Sequence, residues 1–284
     1  MGEKVRNFRS SYYDKVGFRG VEEKKSLEIL LNEKPIDKEK LSKFCVRVTL
    51  PSMYREYVWK VLLGVLPVNI ESHDSVMQQR QEHYQELEAS LRIMKKVEED
   101  MPRSVVHALM FLLTEELILF DLPQQLESSH VRNLAAIASV FLELCSQEID
   151  AYWLFKNFIL FRRQAGIQFH ILKEKLESIL SKEDNKLIQH LRVVGALEAL
   201  PLCSWFDRCF AKILHRTSLA RILDKVIGGS FKVLSYVGAA IFLVRRHPLL
   251  AEEDRDQIVS LLEKIPEDTS DVVVNKALDL YYSR

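Results

Sequence analysis

The sequence predicts an all-α protein that folds as one multi-helix domain. Apolar side chains recur at three- and four-residue steps along most of the chain, which is the spacing of a helix face. Gly and Pro number only 9 and 8 among 284 residues, and no run of strand length alternates between turn signals. A chain of this length suits one large domain or two small ones. The absence of a fixed-period repeat and of a low-complexity linker favours one.

The first four predicted helices have clear sequence boundaries. An amphipathic pattern covers 21–31, and Asp37 is placed to cap a second, short helix. A third helix begins after Pro51 and ends at Gly64, because Pro is tolerated at a helix start and Gly at a helix end. The fourth, 73–96, is long and polar with a narrow apolar stripe, so its charged run is interpreted as a solvated face.

The segment 105–120 carries more large apolar side chains than one core-facing stripe requires. A helix this apolar is either buried on all sides or covered by another molecule. Since helix-on-helix docking buries such a face, we predict a partner-binding surface here, with internal core as the alternative. The predicted residues lie on one face or on the opposite face of the helix: Leu109, Leu112, Leu113 and Leu117, or Phe111 and Ile118.

Nine further helices complete the predicted chain. Their ranges are 128–144, 147–161, 169–180, 186–194, 204–214, 218–226, 230–245, 253–264 and 270–282. The longest apolar run, 233–244, is too short for a bilayer, which takes about 20 residues, so it is predicted to be a buried helix. No transmembrane segment is expected. The three tryptophans, Trp59, Trp153 and Trp205, are predicted to lie in the core.

Charge and cysteine content argue against several classes of function. Lys plus Arg and Asp plus Glu both number 40, so the net charge is zero, which disfavours a nucleic-acid-binding or broadly membrane-binding surface. The four cysteines are scattered without a C-x-x-C pair, so they are predicted to be reduced and mostly buried, as in a cytoplasmic protein. The eight histidines show no metal-ligand spacing. We expect no cofactor, no metal and no signal peptide.

One short stretch combines charges with a helix breaker. Val97, Asp100 and Arg103 follow one another at three-residue steps, so on a helix they would share a face. Pro102 disfavours an uninterrupted helix because it lacks an N–H and crowds the preceding turn. Arg103 is therefore predicted at a helix end or bend, with Asp100 holding its guanidinium. From spacing alone, an exposed charged helix end is the favoured interpretation.

Six separated motifs occur in the order found in one protein family. They are Arg55…Trp59, Val97…Asp100…Arg103, Glu148…Asp150-Ala151-Tyr152-Trp153, Leu187…His190-Leu191, Trp205-Phe206…Phe210 and Leu223-Asp224…Gly229. In this order they resemble the TBC domain, an all-helical module that activates Rab-type GTPases. Three positions depart from the family pattern, because Val97 stands for an Ile, Tyr152 for a Phe and Leu223 for a Trp. The resemblance covers about 45–246, with a helical lead at 1–44 and two further helices within 251–284.

The resemblance implies two catalytic side chains that a TBC domain supplies to its GTPase. The Arg of the I-x-x-D-x-x-R motif neutralises charge on the transferring phosphoryl group, and Arg103 stands there with Asp100 to orient it. A Gln in a Y-x-Q-G motif positions the attacking water. Spacing back from Phe141 puts Arg132 where that Gln is wanted, and an Arg cannot accept a hydrogen bond from water. Arg132 is therefore expected to be inactive, which leaves at most partial stimulation of a GTPase.

Three functions are compatible with these residues and this resemblance. Within the family, 8–28 is similar to a member that is a subunit of the tuberous sclerosis complex, which implies a non-catalytic scaffold that binds the coiled coil of hamartin. The second is a GTPase-activating protein that uses Arg103 on a Rab-type GTPase. The third is a purely structural helical domain in which Arg103 only pairs with Asp100. The first is the favoured hypothesis, and it implies a cytoplasmic protein that reaches lysosomes or vesicles through its partners.

Overall fold

Helices account for most of the described chain. The computed structural model describes residues 21–263 and 265–283, and no β-strand occurs within them, so the predicted all-α class is confirmed. The first eight helices are α1 (Val21–Asn32), α2 (Lys38–Arg47), α3 (Ser52–Leu62), α4 (His73–Ile93), α5 (Arg103–Thr114), α6 (Leu122–Glu127), α7 (Ser129–Leu144) and α8 (Glu148–Ala165). The others are α9 (Phe169–Glu183), α10 (Asn185–Val193), α11 (Ala196–Ala199), α12 (Leu202–Asp207), α13 (Arg216–Ile227), α14 (Val233–Val244), α15 (Arg246–Ala251), α16 (Arg255–Glu263) and α17 (Glu267–Tyr282).

Short polar side chains fix several helix starts. Asp37 accepts hydrogen bonds from the backbone N–H groups of Glu39 and Lys40, both at 3.0 Å, and so caps α2 as predicted. Ser128 caps α7 through the N–H of Val131 at 3.3 Å. Each cap satisfies an N–H group that has no partner inside its own helix. These starts could be predicted because capping depends only on neighbouring residues.

Helix α5 packs against α4 and α7, and one of its rings contacts α8. The ring of Phe111 on α5 meets that of Phe155 on α8 with centroids 5.9 Å apart. The ring of Trp59 on α3 contacts that of Phe141 on α7 edge-on, with centroids 5.8 Å apart. Aromatic pairs in this geometry add to the free energy gained by burial alone. All three tryptophans are buried, as predicted.

The longest apolar run of the sequence forms the buried helix α14, as predicted. It packs against α9 and α17. Gly238 permits the close approach of α9, because a Cβ at that position would lie 2.3 Å from Leu176 Cδ1. In residues 21–263 and 265–283, no helix combines the length and the apolar character needed to cross a bilayer.

The apolar helix α5 is a core element rather than a partner-binding face. It is shorter than predicted, and residues 115–121 form a turn and a loop after it. Because α5 has helices on several sides, its apolar side chains face those neighbours, and Leu109, Phe111 and Leu112 are buried. The prediction of partner binding is wrong for these three. The remaining predicted residues are Leu113 and Ile118, which are half-buried, and Leu117, which is exposed.

A second departure from prediction is a turn inside the predicted helix 204–214. Helix α12 ends at Asp207, and the backbone adopts left-handed φ angles of 50° at Cys209 and 63° at Phe210. This turn keeps the ring of Phe210 in the core, 5.9 Å from that of Phe206 between centroids. Periodicity could not reveal the turn, because its apolar residues also recur at three- and four-residue steps.

The four cysteines are free thiols with different exposures. Cys45 and Cys209 are buried, Cys145 is half-buried and Cys203 is exposed. The prediction of mostly buried thiols therefore holds for only part of the set. Burial raises the pKa of Cys209 to about 11, so this thiol is protonated at pH 7.

A buried carboxylate ties α13 to the start of the chain's third helix. Asp224 has no exposed surface, and its Oδ1 accepts hydrogen bonds from Arg55 Nε at 2.9 Å and Trp59 Nε1 at 3.0 Å. Its Oδ2 accepts from Arg55 Nη2 at 3.1 Å and from the N–H of Leu50 at 3.3 Å. The guanidinium also lies 6.0 Å from the centroid of the indole ring of Trp59. An ion removed from water needs such a complete set of partners.

We expect Asp224→Asn to lower the free energy of unfolding by about 3–5 kcal/mol, because the guanidinium of Arg55, whose side chain is only 13% exposed, loses its counter-charge. Urea unfolding followed by circular dichroism measures this loss. The matched control is Asp100→Asn, an exposed residue, which should change stability by less than about 0.5 kcal/mol. A loss for Asp224→Asn no larger than that of the control would contradict the importance of the buried pair.

Candidate functional site

Arg103 is the first residue of α5, next to Pro102. Pro102 precedes the helix with φ −55° and ψ 133° and offers no side-chain hydrogen bond to it. The preceding turn cannot continue into α5 because the ring of Pro102 blocks helical hydrogen bonding there. The prediction that Arg103 stands at a helix end is confirmed, and its side chain is 38% exposed.

Two carboxylates and a phenol hold the guanidinium of Arg103. Its Nη1 and Nη2 donate to the two oxygens of Glu88 at 3.0 and 3.2 Å, which makes a bidentate pair. Nη2 also donates to Tyr84 Oη at 2.8 Å, and Nε donates to Glu148 Oε1 at 2.5 Å. The predicted partner Asp100 is not among these groups, so that part of the prediction is wrong. Asp100 lies in the turn before α5, and the two residues therefore share no helix face.

These contacts shift the ionisation of both carboxylates. Hydrogen bonds from Arg103 lower the pKa of Glu88 from 4.5 to about 2, against the opposing effect of burial. Burial acts to raise the pKa of Glu148, but hydrogen bonds from Tyr84 and Arg103 outweigh it and lower that pKa below its ordinary value. Both carboxylates are therefore ionised at pH 7 and bind a permanent cation.

Next to this cluster, His107 is buried and neutral at pH 7. Burial lowers the pKa of His107 to about 4. Its Nε2 lies 3.3 Å from both Tyr84 Oη and Glu148 Oε1, and its Nδ1 has no hydrogen-bond partner among the described residues. Its ring contacts those of Tyr84 and Tyr152, with centroids 5.9 and 5.4 Å away. His107 therefore supports the position of Tyr84 instead of presenting a base to solvent.

A cleft of about 520 Å³ lies beside the start of α5. Pro102, Ser104 and Val105 line it, together with Leu126, Arg132 and Lys212. We call it the Arg132 cleft. Arg132 is exposed in the first turn of α7. Arg103 does not line the cleft, because its guanidinium is bound to α4 and α8 instead. The two residues that the resemblance assigns to catalysis therefore do not converge in one cavity.

Other motif residues have partners inside the fold. Asp150 pairs with Lys60 Nζ at 2.6 Å. His190 Nε2 forms a hydrogen bond with the carbonyl oxygen of Glu252 at 2.9 Å. Within the described ranges, no group of three or more His, Cys, Asp or Glu side chains is arranged to hold a metal ion.

Two residues that position Arg103 were missed by sequence reasoning. Glu88 belongs to the charged run of α4 that the sequence predicts to be a solvated face, and Tyr84 lies four residues before it. Their i, i+4 spacing does place them on one side of the helix. No local signal showed that this side meets α5, since the contact joins residues far apart in sequence.

Sequence comparison decides the family. The model of the Rab-GTPase-TBC domain matches residues 52–250. This chain belongs to the Rab-GTPase-TBC domain family. The chain resembles TBC1 domain family member 7 of Danio rerio. The two are 42% identical over 282 residues, which cover 98% of this chain and 95% of the relative. The proteins of the same name from Xenopus tropicalis and Homo sapiens are 43% and 42% identical over 281 residues, 98% of this chain and 94% of theirs.

Two solved structures share the architecture of this TBC domain. The Ypt/Rab-GAP domain of Gyp1p matches with a TM-score of 0.59 over 93% of this chain and 98% of its own, at 14% identity. The Chlamydomonas flagellar RabGAP TBC domain matches with a TM-score of 0.58 over 90% of this chain and 89% of its own, at 15% identity. At these identities the likeness establishes the fold alone. The resemblance inferred from the six motifs is confirmed.

We expect the stabilising effect of Glu88 on this TBC domain to disappear in acid. Its pKa is about 2 in the folded protein and 4.5 ordinarily, so the effect is fully present above pH 4.5 and is lost as the pH falls toward 2. The difference in unfolding free energy between wild type and Glu88→Gln should therefore narrow below about pH 4.5. Urea unfolding at intervals from about pH 7 to about pH 3 measures it.

The control for this titration is Glu86→Gln, an exposed glutamate on the same helix that forms no ion pair with the described residues. Its effect on stability should be small at every pH. A Glu88→Gln difference that stays constant down to about pH 3 would contradict the assigned pair with Arg103.

Proposed function

We propose that this chain is a TBC-domain scaffold subunit that binds the coiled coil of hamartin in the tuberous sclerosis complex, without efficiently activating a GTPase itself. In this role it supports the restraint of Rheb and TOR signalling from the cytoplasm, and reaches lysosomes or vesicles through its partners. One observation carries the non-catalytic part of the proposal. The guanidinium of Arg103 is bound by Glu88, Glu148 and Tyr84 and does not line the Arg132 cleft.

An arginine finger must offer its donors to the transferring phosphoryl group. In this chain the Nε, Nη1 and Nη2 groups of Arg103 already donate four hydrogen bonds. To reach a phosphate, the side chain would leave Glu88 and Glu148 without their shared counter-charge. Charge-assisted bonds of this kind are stronger than bonds between neutral groups. The present contacts therefore oppose the position that catalysis requires.

The residue at the Gln position supports the same proposal. Arg132 carries only N–H donors, so it cannot accept the hydrogen bond that would orient an attacking water. Its charge is permanent and it is exposed in the cleft. A guanidinium there is suited to binding an anionic group.

The coiled-coil part of the proposal is supported by similarity. Relatives called TBC1 domain family member 7 match 98% of this chain at 42–43% identity. The run 8–28, which resembles a subunit of the tuberous sclerosis complex, lies mostly outside the described residues. The assignment of hamartin as the partner therefore comes from sequence likeness, and binding has to be measured directly.

A second function, activation of a Rab-type GTPase through Arg103, is favoured by one feature. Arg103 is the first residue of α5 and directly precedes Ser104, which lines the cleft. Its side chain is more than a third exposed, so it is accessible to a partner. A GTPase that supplied its own Gln and drew the guanidinium away from Glu88 would restore the finger.

We expect no large acceleration of GTP hydrolysis when this protein is added to a panel of Rab proteins. A working arginine finger accelerates hydrolysis about 10³–10⁵-fold, so single-turnover phosphate release separates the two functions clearly. Arg103→Ala is the matched variant. Strong acceleration by wild type that Arg103→Ala abolishes would establish the second function and refute the non-catalytic part of the proposal.

We expect the folded protein to bind the coiled coil of hamartin, and Arg103→Ala to bind it equally well, because a scaffold does not need the finger. Isothermal titration calorimetry with the purified coiled coil measures the affinity. An unrelated coiled coil of equal length is the control for generic helix binding. If the wild-type protein is folded and does not bind, the scaffold function is wrong.

A further inference from the structure

Another pocket, of about 290 Å³, lies where α8 ends and α9 begins. We call it the Arg162 pocket, and its lining includes His130, Ile159, Arg162, Arg163, Ile167 and Phe169. Two arginines and a histidine line it, and no carboxylate of the described residues does. The Arg132 cleft differs, because Glu98 and Asp100 line it beside its two cations. Of these two cavities, the Arg162 pocket is therefore better suited to an anion.

Two helix ends of opposite polarity border the pocket. Arg162 and Arg163 belong to the last turn of α8, where unpaired carbonyl groups carry partial negative charge. His130 belongs to the first turn of α7, where unpaired N–H groups carry partial positive charge. These partial charges offset each other. The side chains therefore determine what the pocket binds.

Arg162 is held in place and still has an unused donor. Its side chain is only 11% exposed, and its Nη2 donates to Asp207 Oδ1 at 2.6 Å. Its Nε is buried and has no hydrogen-bond partner among the described residues. A buried donor without an acceptor costs free energy, and an acceptor that reached this group would recover that cost.

Arg163 is the more accessible of the two cations. Its side chain is 53% exposed, and its Nη1 donates to Glu115 Oε2. An exposed ion pair of this kind contributes little to stability, so the guanidinium can share or exchange this partner at small cost. A guanidinium has five N–H donors. Both arginines therefore keep donors for a ligand while they pair with their carboxylates.

We propose that the Arg162 pocket binds a phosphate monoester group, at a site that the proposed function does not use. Arg162 and Arg163 donate to the phosphate oxygens, and His130 lies beside them without a partner among the described residues. Guanidinium groups match the geometry of phosphate oxygens, and charge-assisted bonds of this kind are stronger than bonds between neutral groups. The ester belongs to a small soluble molecule or to a lipid head group.

Most of the remaining lining of the pocket is apolar. Ile159 is buried, and Ile167 and Phe169 are half-buried at the edge of the hydrophobic core. These side chains contact the organic part of the ester, and burial of apolar surface there adds to the affinity. An ester with a ring should therefore bind more tightly than inorganic phosphate.

Phenyl phosphate is the soluble probe. Saturation-transfer NMR with the full chain, in a buffer free of phosphate and sulfate, measures its Kd, and inorganic phosphate should compete more weakly. Arg163→Gln should weaken the binding of phenyl phosphate about tenfold, because charge-assisted hydrogen bonds are lost. Phenol has the ring without the phosphate and should not compete.

Three further variants localise the site. Arg192→Gln is the matched control, because Arg192 is an arginine of similar exposure that pairs with Glu177 elsewhere on the surface. It should bind phenyl phosphate like wild type, and so should Arg132→Gln, which tests the other cavity. Arg162→Lys keeps the charge and loses the planar group, so it should also weaken binding. A thermal melt checks its folding, and Arg163→Gln carries the test if Arg162→Lys unfolds.

Vesicles distinguish the two sources of the ester. Phosphatidylcholine vesicles that contain phosphatidylinositol monophosphate are compared, by sedimentation, with vesicles that contain phosphatidylinositol instead. Preference for the phosphorylated lipid, weakened by Arg163→Gln, assigns the site to a head group. Binding of phenyl phosphate without such a preference assigns it to a soluble ester.

Failure of the folded wild type to bind either probe would overturn the phosphate site, and the two arginines would then only balance the charge at the end of α8. Binding that Arg163→Gln and Arg162→Lys retain in full would overturn it too, as would a loss confined to Arg132→Gln. Weaker binding in folded Arg163→Gln, with Arg192→Gln and Arg132→Gln unchanged, is the supporting result.

Discussion

The buried carboxylate of Asp224 is the contact on which the N-terminal part of the fold depends. An ion removed from water needs donors on every side, and here residues 50–59 provide a backbone N–H, a guanidinium and an indole. Lys225 is also buried and donates to the carbonyl oxygens of Cys45 and Val48. Burial lowers the pKa of Lys225 to about 8. Two adjacent buried charges of opposite sign therefore fix where this stretch lies on α13.

The same need for partners has a different consequence at Arg103. Its ion pairs are partly exposed, so they stabilise the fold less than the pairs of Asp224 do. Their main effect is on the direction of the Arg103 side chain, because Glu88 on α4 and Glu148 on α8 hold its guanidinium away from the Arg132 cleft. A side chain that the family motif assigns to catalysis thus joins three helices. The same fold can therefore carry different chemistry at this site.

Sequence reasoning succeeded where the cause of a feature is local. The cap at Asp37 and the helix start after Pro102 depend on residues within one turn of the chain. It did not predict features that depend on residues far apart in the chain. Glu88 was predicted to be solvated, because its partner Arg103 lies on another helix. The apolar pattern of α5 is equally ambiguous, because a core helix and a helix covered by a partner both carry apolar residues all round. Only the packing of α4, α7 and α8 around it decides between them.

An Arg at 132, where the resemblance implies a Gln, alters what the cleft can recognise. A Gln carries both a donor and an acceptor and no charge, whereas an Arg carries five donors and a permanent charge. This charge has no ion-pair partner among the described residues, and Glu98 and Asp100 also line the cleft. The cleft is therefore lined by charges of both signs. Orienting one water molecule requires an acceptor, which an Arg does not offer. Because Arg132 is exposed, the helical core beneath it does not depend on this residue.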